Sequence, residues 1–338
     1  MTGTLIPIVD ASIDGIPIAG TSIEMLDLPL VSTHIRTAVR SNRYNGPEDP
    51  VLYLRRQRCL VEVDGQLSVT LAGLLCFGKD PQTLYPNAVV DLGQYRGTKP
   101  TSTDATMIRK NLGGTIFQQL EQAITFVSER MQTRSVLLPQ SITRIDITEY
   151  PQVVCRELCL NMLCHRDYVS ERAASRIMLL SDRIEWISPG GLQPGMTIEN
   201  ILYSQKSRNP IIMSICYEAG LVESFGQGLD TVVEELARES LRPPVFLDTG
   251  HSFNVTVYGR DMATDQGIAT DRVYQRLIIE ALATRGRLTM FDLVALFPER
   301  ARRTLQRDLA TMVDDQQIVR RGGGRSIYYT LVEDPHDA

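Results

Sequence analysis

Glu157 and Asn161 lie four positions apart in the segment PQVVCRELCLNMLCHRDY, and their side chains could carry chemistry together. Residues at positions i and i+4 are neighbours on one face of a helix. A carboxylate can take a proton from water as a general base, and an amide oxygen is a hard ligand of the kind that magnesium prefers. His165 continues this face, whereas an apolar stripe is formed by Cys155, Leu158, Cys159 and Met162. The pattern predicts a one-sided helix that begins near Pro151.

Two glycine-rich turns follow this segment along the chain, SPGG at 188–191 and GQG at 226–228. Gly226 and Gly228 open the helical pattern LDTVVEELARE. Phosphates are held well at such a junction, because free backbone N–H groups and the helix dipole point at the anion. A lone G-x-G is weak evidence, since glycines also make tight turns without any ligand. The fixed order of acid–amide helix, Pro-Gly-Gly turn and G-x-G junction favours a phosphate site.

The organisation of the chain follows from its length and its patterns. At 338 residues, two or three domains are expected. Helical segments alternate with strand-like segments in a way that predicts an α+β protein with helices on one face of an antiparallel sheet. The predicted divisions are an N-terminal region of unclear role at 1–60, an α/β segment at 61–145, a central domain at 146–260, a linker at 261–270 and a C-terminal domain at 271–334.

The bulk properties exclude some classes of function. The net charge is -5 and the pI about 5.5, so binding to nucleic acid would need a local basic surface. The sequence has no run approaching roughly 18 apolar residues and no leader-like start. These features predict a cytoplasmic protein that does not bind membranes. The six cysteines lack paired spacing and are interpreted as reduced thiols. Metal binding by Cys155, Cys159, Cys164 and His165 is a less favoured alternative, because all four belong to one helix.

The motifs together resemble the ATP-binding regulators of the GHKL type, a superfamily that includes gyrase, heat-shock chaperones, histidine kinases and mismatch-repair ATPases. The branch concerned is often labelled RecG-like or transcriptional regulator. The matching segments are LAGLLCFGKDP, RELCLNMLCHRDY, DRIEWISPGGLQPG, SRNP and GLVESFGQGLD, which span about Leu71 to Arg260. The resemblance implies a GHKL-like (Bergerat-type) α/β sandwich that binds ATP and magnesium. No G-x-x-x-x-G-K-[ST] phosphate loop or other motor signature accompanies it, so helicase activity is not expected.

The resemblance also implies roles for individual residues. Glu157 matches the carboxylate that activates water for ATP hydrolysis, and Asn161 matches the amide that binds magnesium. Ser188 stands where the superfamily usually has an aspartate that accepts a hydrogen bond from the adenine amino group, and serine is a weaker acceptor. Arg208 of SRNP could contact a phosphate or cap the next helix. The nucleotide-binding glycines would be Gly190, Gly191, Gly226 and Gly228.

The C-terminal segment has three helical patterns followed by two strands around a glycine-rich turn. This layout resembles the winged helix-turn-helix of bacterial repressors, with ARRTLQRDL as the recognition helix. Arginine suits guanine edges and phosphates alike. The predicted DNA contacts are Arg302, Arg303, Gln306 and Arg307 in this helix and Arg320, Arg321 and Arg325 in the wing. The alternative is that these arginines form the solvated face of a protein-interaction module.

Three functions are consistent with these features. The first is a DNA-binding transcriptional regulator with an ATP-binding GHKL-like domain, expected as a homodimer because a single small reading head rarely binds tightly. The second is an ATPase acting in DNA repair or defence, in which the winged helix only docks the substrate. The third is a scaffold with a degenerate nucleotide site. Turnover of ATP and nucleotide-dependent binding to one DNA sequence would distinguish them.

Overall fold

The computed structural model describes residues 12–137, 144–169, 173–203, 206–222, 228–262, 266–298, 300–323 and 327–332. The helices are α1 (Leu28–Arg40), α2 (Pro50–Arg56), α3 (Leu71–Phe77), α4 (Ile116–Ser128), α5 (Gln152–Cys164), α6 (Pro210–Glu218), α7 (Gly228–Arg238), α8 (Gln266–Arg285), α9 (Met290–Leu296) and α10 (Arg302–Asp314). The first eight strands are β1 (Leu60–Val63), β2 (Gln66–Val69), β3 (Val90–Tyr95), β4 (Ala105–Leu112), β5 (Thr133–Leu137), β6 (Arg144–Thr148), β7 (Ser175–Leu179) and β8 (Arg183–Pro189). The others are β9 (Val245–Asp248), β10 (Ser252–Tyr258), β11 (Leu288–Thr289), β12 (Ile318–Arg321) and β13 (Tyr328–Leu331).

The described residues group into two compact units. The larger unit comprises Met1–Met131 and Tyr150–Gly259, and the smaller one comprises Gln132–Glu149 and Arg260–Ala338. Helices and mixed or antiparallel sheets occur in one chain, so the α+β class expected from the sequence is confirmed. Within the described ranges, no helix combines the length and the apolar character that a membrane crossing would require.

The larger unit is built on a six-stranded sheet with the order β4-β3-β7-β8-β10-β9. Strands β3 and β7 run parallel, and the other neighbours are antiparallel. Trp186 lies at the centre of the sheet, opposite Ile177 on one side and Val255 on the other, and all three side chains are buried. Residues alternate between the two faces of a strand, so this row defines the face that packs on the core.

Helix α5 lies on the sheet beside β8 and contacts α4 and α7. The apolar stripe expected from the sequence is buried, yet so are Val154, Leu160 and Leu163. The prediction of a one-sided helix was therefore wrong, because neighbouring elements cover α5 on more than one side. Glu157 and Asn161 are consequently half-buried among packed elements instead of lying on an open surface.

The N-terminal region shares its core with the central domain. Helices α1 to α3 contribute buried apolar residues to the same cluster as α5 and α6. Asp14 is fully buried, and its Oδ2 accepts hydrogen bonds from the N–H groups of Ile211 (2.8 Å) and Ile212 (3.0 Å) at the start of α6. Desolvation raises the pKa of this carboxyl in spite of these bonds. Residues 12–60 thus help to fix the position of α6.

Some local predictions for the first sixty residues are confirmed and others are not. The sequence predicts a helix around Pro50 to Arg58, and it is present as α2. The Asp49 side chain caps it by accepting from the N–H groups of Val51 and Leu52. The segment IPIVDASIDGIPIAG predicts short strands before this helix, but none is found in the described residues 12–27. These residues contain two short 3-10 helices, Ile13–Gly15 and Ile23–Met25. Residues 1–11 lie outside the described part of the chain.

The smaller unit contains the β5–β6 hairpin and everything that follows Gly259. Arg260 joins these segments, because its N–H donates to the Glu149 carbonyl and its Nε donates to the Thr148 carbonyl. The elements α8, β11, α9, α10, β12 and β13 then follow along the chain, and the three strands form an antiparallel sheet in the order β11-β13-β12. Their core is formed by Tyr274, Ile278, Leu282, Leu288, Leu293, Phe297, Leu305, Leu309, Met312, Ile318 and Tyr329.

Candidate functional site

A pocket in the larger unit is bounded by α5, the end of β8, the start of α7 and β10. Residues predicted for the nucleotide site lie far apart in the sequence, yet they line this one pocket. They are Glu157, Asn161, Ser188, Gly190, Gly191, Arg208 and Gly228. Gly226 falls outside the described residues. The structure therefore brings together all the predicted nucleotide-site residues that it describes.

The start of α7 lies directly against the acid–amide pair of α5. A β-carbon placed on Gly228 would be 2.8 Å from Nδ2 of Asn161, 3.2 Å from its Oδ1 and 3.3 Å from Oε2 of Glu157. A β-carbon at this position would have to displace the end of the Asn161 side chain, so glycine allows this approach with Asn161 in place. The N-terminal end of α7, where helices attract anions, thus meets the carboxylate and the amide at one point.

Asn161 has unused hydrogen-bonding capacity at this point. Its Nδ2 is buried and has no hydrogen-bond partner among the described residues. A buried polar group without a partner costs about 1–3 kcal/mol. An asparagine amide offers an oxygen that can coordinate magnesium and a nitrogen that can donate to a phosphate or water oxygen. The site therefore fits a ligand with one of these groups beside Asn161.

Glu157 is held by an arginine that the sequence analysis did not consider. Nη1 of Arg156 lies 3.3 Å from Oε1 of Glu157, and Nη2 of the same arginine donates to the Leu221 carbonyl at 2.7 Å. The Glu157 side chain is only 14% exposed. Arg156 thus fixes one carboxylate oxygen, while the other one, Oε2, is the oxygen nearer to Gly228.

Ser188 and Trp186 form the floor of the pocket at the end of β8. The Ser188 hydroxyl donates to the Met162 carbonyl of α5 at 2.8 Å. Its proton is used in this bond, so towards the pocket the hydroxyl oxygen can only accept. Trp186, the single tryptophan of the chain, donates from Nε1 to Sγ of Cys159 at 3.4 Å. Its fluorescence is therefore a direct probe of this pocket.

The turn formed by residues 188–191 depends on both of its glycines. Gly190 has a φ of +95°, and a β-carbon there would lie 2.6 Å from Cβ of Asp167. A β-carbon on Gly191 would lie 2.8 Å from Oδ1 of Asp248 and 2.8 Å from Cα of Gly250. Larger residues would therefore collide with segments on both sides of the turn. Asp167, in the segment RELCLNMLCHRDY, and Asp248 are functional candidates to which the sequence had assigned no role.

Of the two roles considered for Arg208 from the sequence, capping of the next helix is not adopted. Its Nη1 lies 3.1 Å from Oδ2 of Asp167, and its Nη2 donates to the Gly191 carbonyl at 2.6 Å. The start of α6 is capped by Asp14 instead. Lys206, which also follows β8 in the sequence, is a second positively charged residue that lines the pocket. Its exposed Nζ donates to the Pro194 carbonyl at 3.4 Å.

His165 ends α5 and also lines the pocket. Burial, and to a lesser extent the positive charge of Arg208, lower its pKa from 6.5 to about 4. The folded protein therefore keeps His165 neutral while the unfolded chain becomes protonated below pH 6.5. Since the unfolded state binds the extra proton, His165 should reduce the stability progressively as the pH falls from about 6.5 to about 4.

Replacing His165 with glutamine should accordingly flatten the pH dependence of stability. Between pH 7 and pH 5, the wild type should lose about 1–2 kcal/mol more unfolding free energy than the variant. Urea unfolding of both proteins at the two pH values measures this difference. The contributions of the other titrating groups cancel, because they are the same in both proteins. Equal losses in the two proteins would show that His165 titrates alike in the folded and unfolded states.

The residues predicted to contact DNA lie in the smaller unit. On α10, Leu305, Leu309 and Met312 are buried, and the exposed residues include Arg302, Arg303, Gln306 and Arg307. Arg320 and Arg321 are exposed on β12, whereas Arg325 lies outside the described residues. Helix α10 thus has an apolar face that packs on the core and a basic face that is exposed.

A buried ion pair links a residue just before α10 to the middle of that helix. Ala301 at the N-cap position provides no side-chain hydrogen bond. Arg300, the residue before it, places its Nε 2.6 Å from Oδ2 of Asp308, and its guanidinium carbon lies 4.2 Å from the centre of the Tyr274 ring. Both side chains of the ion pair are buried. These contacts of Arg300 fix the start of α10 relative to the residue before it. No pattern in the sequence indicated them.

Comparison with known proteins supports an ATPase-like domain in the centre of the chain. Residues 173–257 match the family described as "Putative ATP-dependent DNA helicase recG C-terminal". The matched segment contains Ser188, Gly190, Gly191, Arg208 and Gly228, whereas α5 with Glu157 and Asn161 precedes it. The family match and the acid–amide pair are therefore separate observations that meet in one pocket. No curated protein matches the chain.

The fold has a counterpart among solved structures. The chain is similar to the crystal structure of the DIP2311 protein from Corynebacterium diphtheriae, with a TM-score of 0.59 and 16% sequence identity. The similarity covers 95% of this chain and 64% of that chain, so the chain spans less than two thirds of its counterpart. At this identity the comparison concerns the fold alone.

Proposed function

We propose that this protein is a nucleotide-binding regulator that binds ATP with magnesium in the pocket between α5 and α7, and binds DNA through α10. The observation that carries the proposal is the meeting of Glu157, Asn161 and Gly228 at the N-terminal end of α7. A helix N-terminus attracts the phosphates, and a carboxylate and an amide beside it suit magnesium and water. The family match to an ATPase-like domain supports the same ligand class.

Magnesium would be held by the Asn161 amide oxygen and by phosphate oxygens, where it would neutralise phosphate charge. Two features fit a magnesium-bound phosphate here: the Asn161 Nδ2 has no hydrogen-bond partner among the described residues and can donate to a phosphate or water oxygen, and Gly228 has no side chain that would fill the space beside this amide. The Ser188 oxygen, which also lines the pocket, can only accept there, and this suits the adenine amino group. Binding of inosine triphosphate, which has an oxygen in that position, as tightly as ATP would contradict this role for Ser188.

DNA binding is proposed on the basis of the smaller unit. The order helix, strand, helix, helix, strand, strand around one apolar core supports the proposal of a winged helix-turn-helix, in which α10 would be the recognition helix. Its exposed face carries three arginines and a glutamine, whereas the whole chain has a net charge of -5. Binding would therefore depend on this local basic face, and a homodimer would place two such helices on one operator.

An ATP-hydrolysing enzyme is the second candidate function, and one observation favours it. The Glu157 carboxylate lies in the pocket itself, with one oxygen held by Arg156 and the other near Gly228. A general base needs this kind of fixed position within reach of a water molecule. A scaffold with an empty site would not need the close approach of α7 to the acid–amide pair.

Replacing Asn161 with alanine tests the magnesium role directly. The affinity for a non-hydrolysable ATP analogue should fall by at least about 10-fold in the presence of magnesium, because one oxygen ligand of the magnesium ion is lost. Without magnesium, the wild type and the variant should bind with similar, weaker affinity. Isothermal titration calorimetry under both conditions provides the four affinities that the comparison needs.

Asn161→Asp is the matched control, since it keeps an oxygen ligand in the same place. It should retain more of the magnesium dependence than Asn161→Ala, and thermal unfolding should show that both variants are folded. Equal affinity of wild type and Asn161→Ala with magnesium present would remove Asn161 from the site.

A further inference from the structure

We infer that Asp167 and Arg208 form a positioning pair that holds the 188–191 turn in shape, so that Arg208 supports nucleotide binding through this turn and not by contacting phosphate. The inference rests on the proposed nucleotide function of the pocket. It concerns two residues that come from different parts of the sequence, the HRDY segment after α5 and the SRNP segment before α6.

The contacts of the pair converge on the turn. Arg208 reaches Oδ2 of Asp167 with Nη1 and the Gly191 carbonyl with Nη2, so its planar fork bridges the carboxylate and the turn. The backbone N–H of Asp167 donates to the Pro189 carbonyl at 2.9 Å. Oδ1 of Asp167 accepts from the Val169 N–H at 3.0 Å. Residues 189 and 191 are therefore bonded to the pair from one side.

The other side of the turn is fixed by the loop between β9 and β10. The Leu192 N–H donates to Oδ2 of Asp248 at 3.3 Å, and the Gly190 N–H donates to the His251 carbonyl at 2.8 Å. The space on both sides is so small that neither Gly190 nor Gly191 could carry a side chain. The turn thus lies between two sets of contacts, and removal of one set should allow it to move.

Charge and burial argue against a phosphate contact by Arg208. The side chains of Arg208 and Asp167 are 17% and 9% exposed, so the pair is largely removed from water. Breaking a buried pair leaves an uncompensated charge, which is costly. A phosphate that approached Arg208 would also meet the negative charge of Asp167. The arginine is therefore committed to the carboxylate and to the turn.

A series of ligands with increasing phosphate content distinguishes positioning from phosphate binding. Adenosine, ADP and a non-hydrolysable ATP analogue are titrated, with magnesium, into the full-length wild type, Asp167→Asn and Arg208→Gln. Each variant should lose about 10-fold in affinity for all three ligands alike, which is the scale of one hydrogen bond. If Arg208→Gln weakens only the phosphorylated ligands while Asp167→Asn leaves ATP binding unchanged or stronger, Arg208 is a phosphate ligand and the inference fails.

Hydrogen exchange of the ligand-free protein tests the same pair without any nucleotide. The amides of Gly190 and Leu192 should exchange at least 10-fold faster in both variants, while those of α4 keep their wild-type rates. Arg183→Gln is the control, because it removes an arginine that pairs with Asp182 and Glu185 at the opposite end of β8. Unchanged exchange at 188–192 in either variant would overturn the inference. Failure of the wild type to bind any of the three ligands would instead contradict the proposed function.

Discussion

Replacement of Glu157 with glutamine is expected to lower the rate of ATP hydrolysis by about 10²–10⁴-fold, the usual contribution of a general base. Glutamine keeps the size of the side chain but cannot take a proton from water. Nucleotide binding should persist, because the amide of Asn161 and the start of α7 remain in place. A phosphate-release assay under multiple turnover, combined with calorimetry on the same preparation, measures both quantities.

Glu234→Gln is a suitable control, since it makes the same chemical change at an exposed position of α7. It should hydrolyse ATP at the wild-type rate. Undiminished turnover in Glu157→Gln would exclude this carboxylate as the base. A wild type without turnover above background would show that the site binds nucleotide without hydrolysing it, which is the outcome that distinguishes the regulator from the enzyme.

Removal of Arg302 and Arg303 together is expected to have the largest effect on DNA binding. Both are exposed on the basic face of α10, beside the buried core residue Leu305. An arginine that reads a guanine should contribute about 1–3 kcal/mol at one base position, and its loss should relax specificity there. An arginine that contacts a phosphate should weaken binding to all sequences and lower the salt slope by about one. Fluorescence anisotropy with selected and scrambled duplexes over a range of salt concentrations separates the two cases.

Arg276→Ala is the control for the loss of positive charge, because Arg276 is an exposed arginine on α8 of the same unit. It should bind the selected duplex nearly as well as the wild type. The double variant should retain its affinity for nucleotide, since the pocket is built from the larger unit alone. Undiminished DNA binding by the double variant would indicate that the basic face serves a protein partner.

Much of the pocket could be predicted from the sequence, because its parts follow local rules. The i, i+4 spacing of Glu157 and Asn161 places them on one helix face, and glycines mark the points where backbone or side chains approach closely. The polar residues that hold these parts could not be predicted. Arg156 donates to the Leu221 carbonyl, Asp167 accepts from the Arg208 guanidinium, and Asp248 accepts from the Leu192 N–H. These partners are distant in sequence, and no spacing rule indicates such contacts.

The fold around the pocket shows the same division. Apolar residues at helical spacing, Ile116, Leu120, Ile124 and Val127, predict the helix found as α4. The segment RIMLLSDRIEWIS predicts a hairpin that turns at 181–183, and β7 and β8 form it. The burial of α5 on several sides depends on α4 and α7 packing against it, which its own sequence does not encode. The contact between Asp14 and the start of α6 spans 197 positions, so the place of residues 12–60 in the core could be seen only in the structure.

The central claim, nucleotide binding between α5 and α7, is tested most directly by titrating the wild-type protein with a non-hydrolysable ATP analogue and magnesium in a calorimeter. The account predicts saturable binding of one nucleotide per chain, weaker without magnesium, and a change in Trp186 fluorescence over the same concentration range. Absence of binding at millimolar nucleotide with magnesium, in a protein whose folding has been verified, would contradict it.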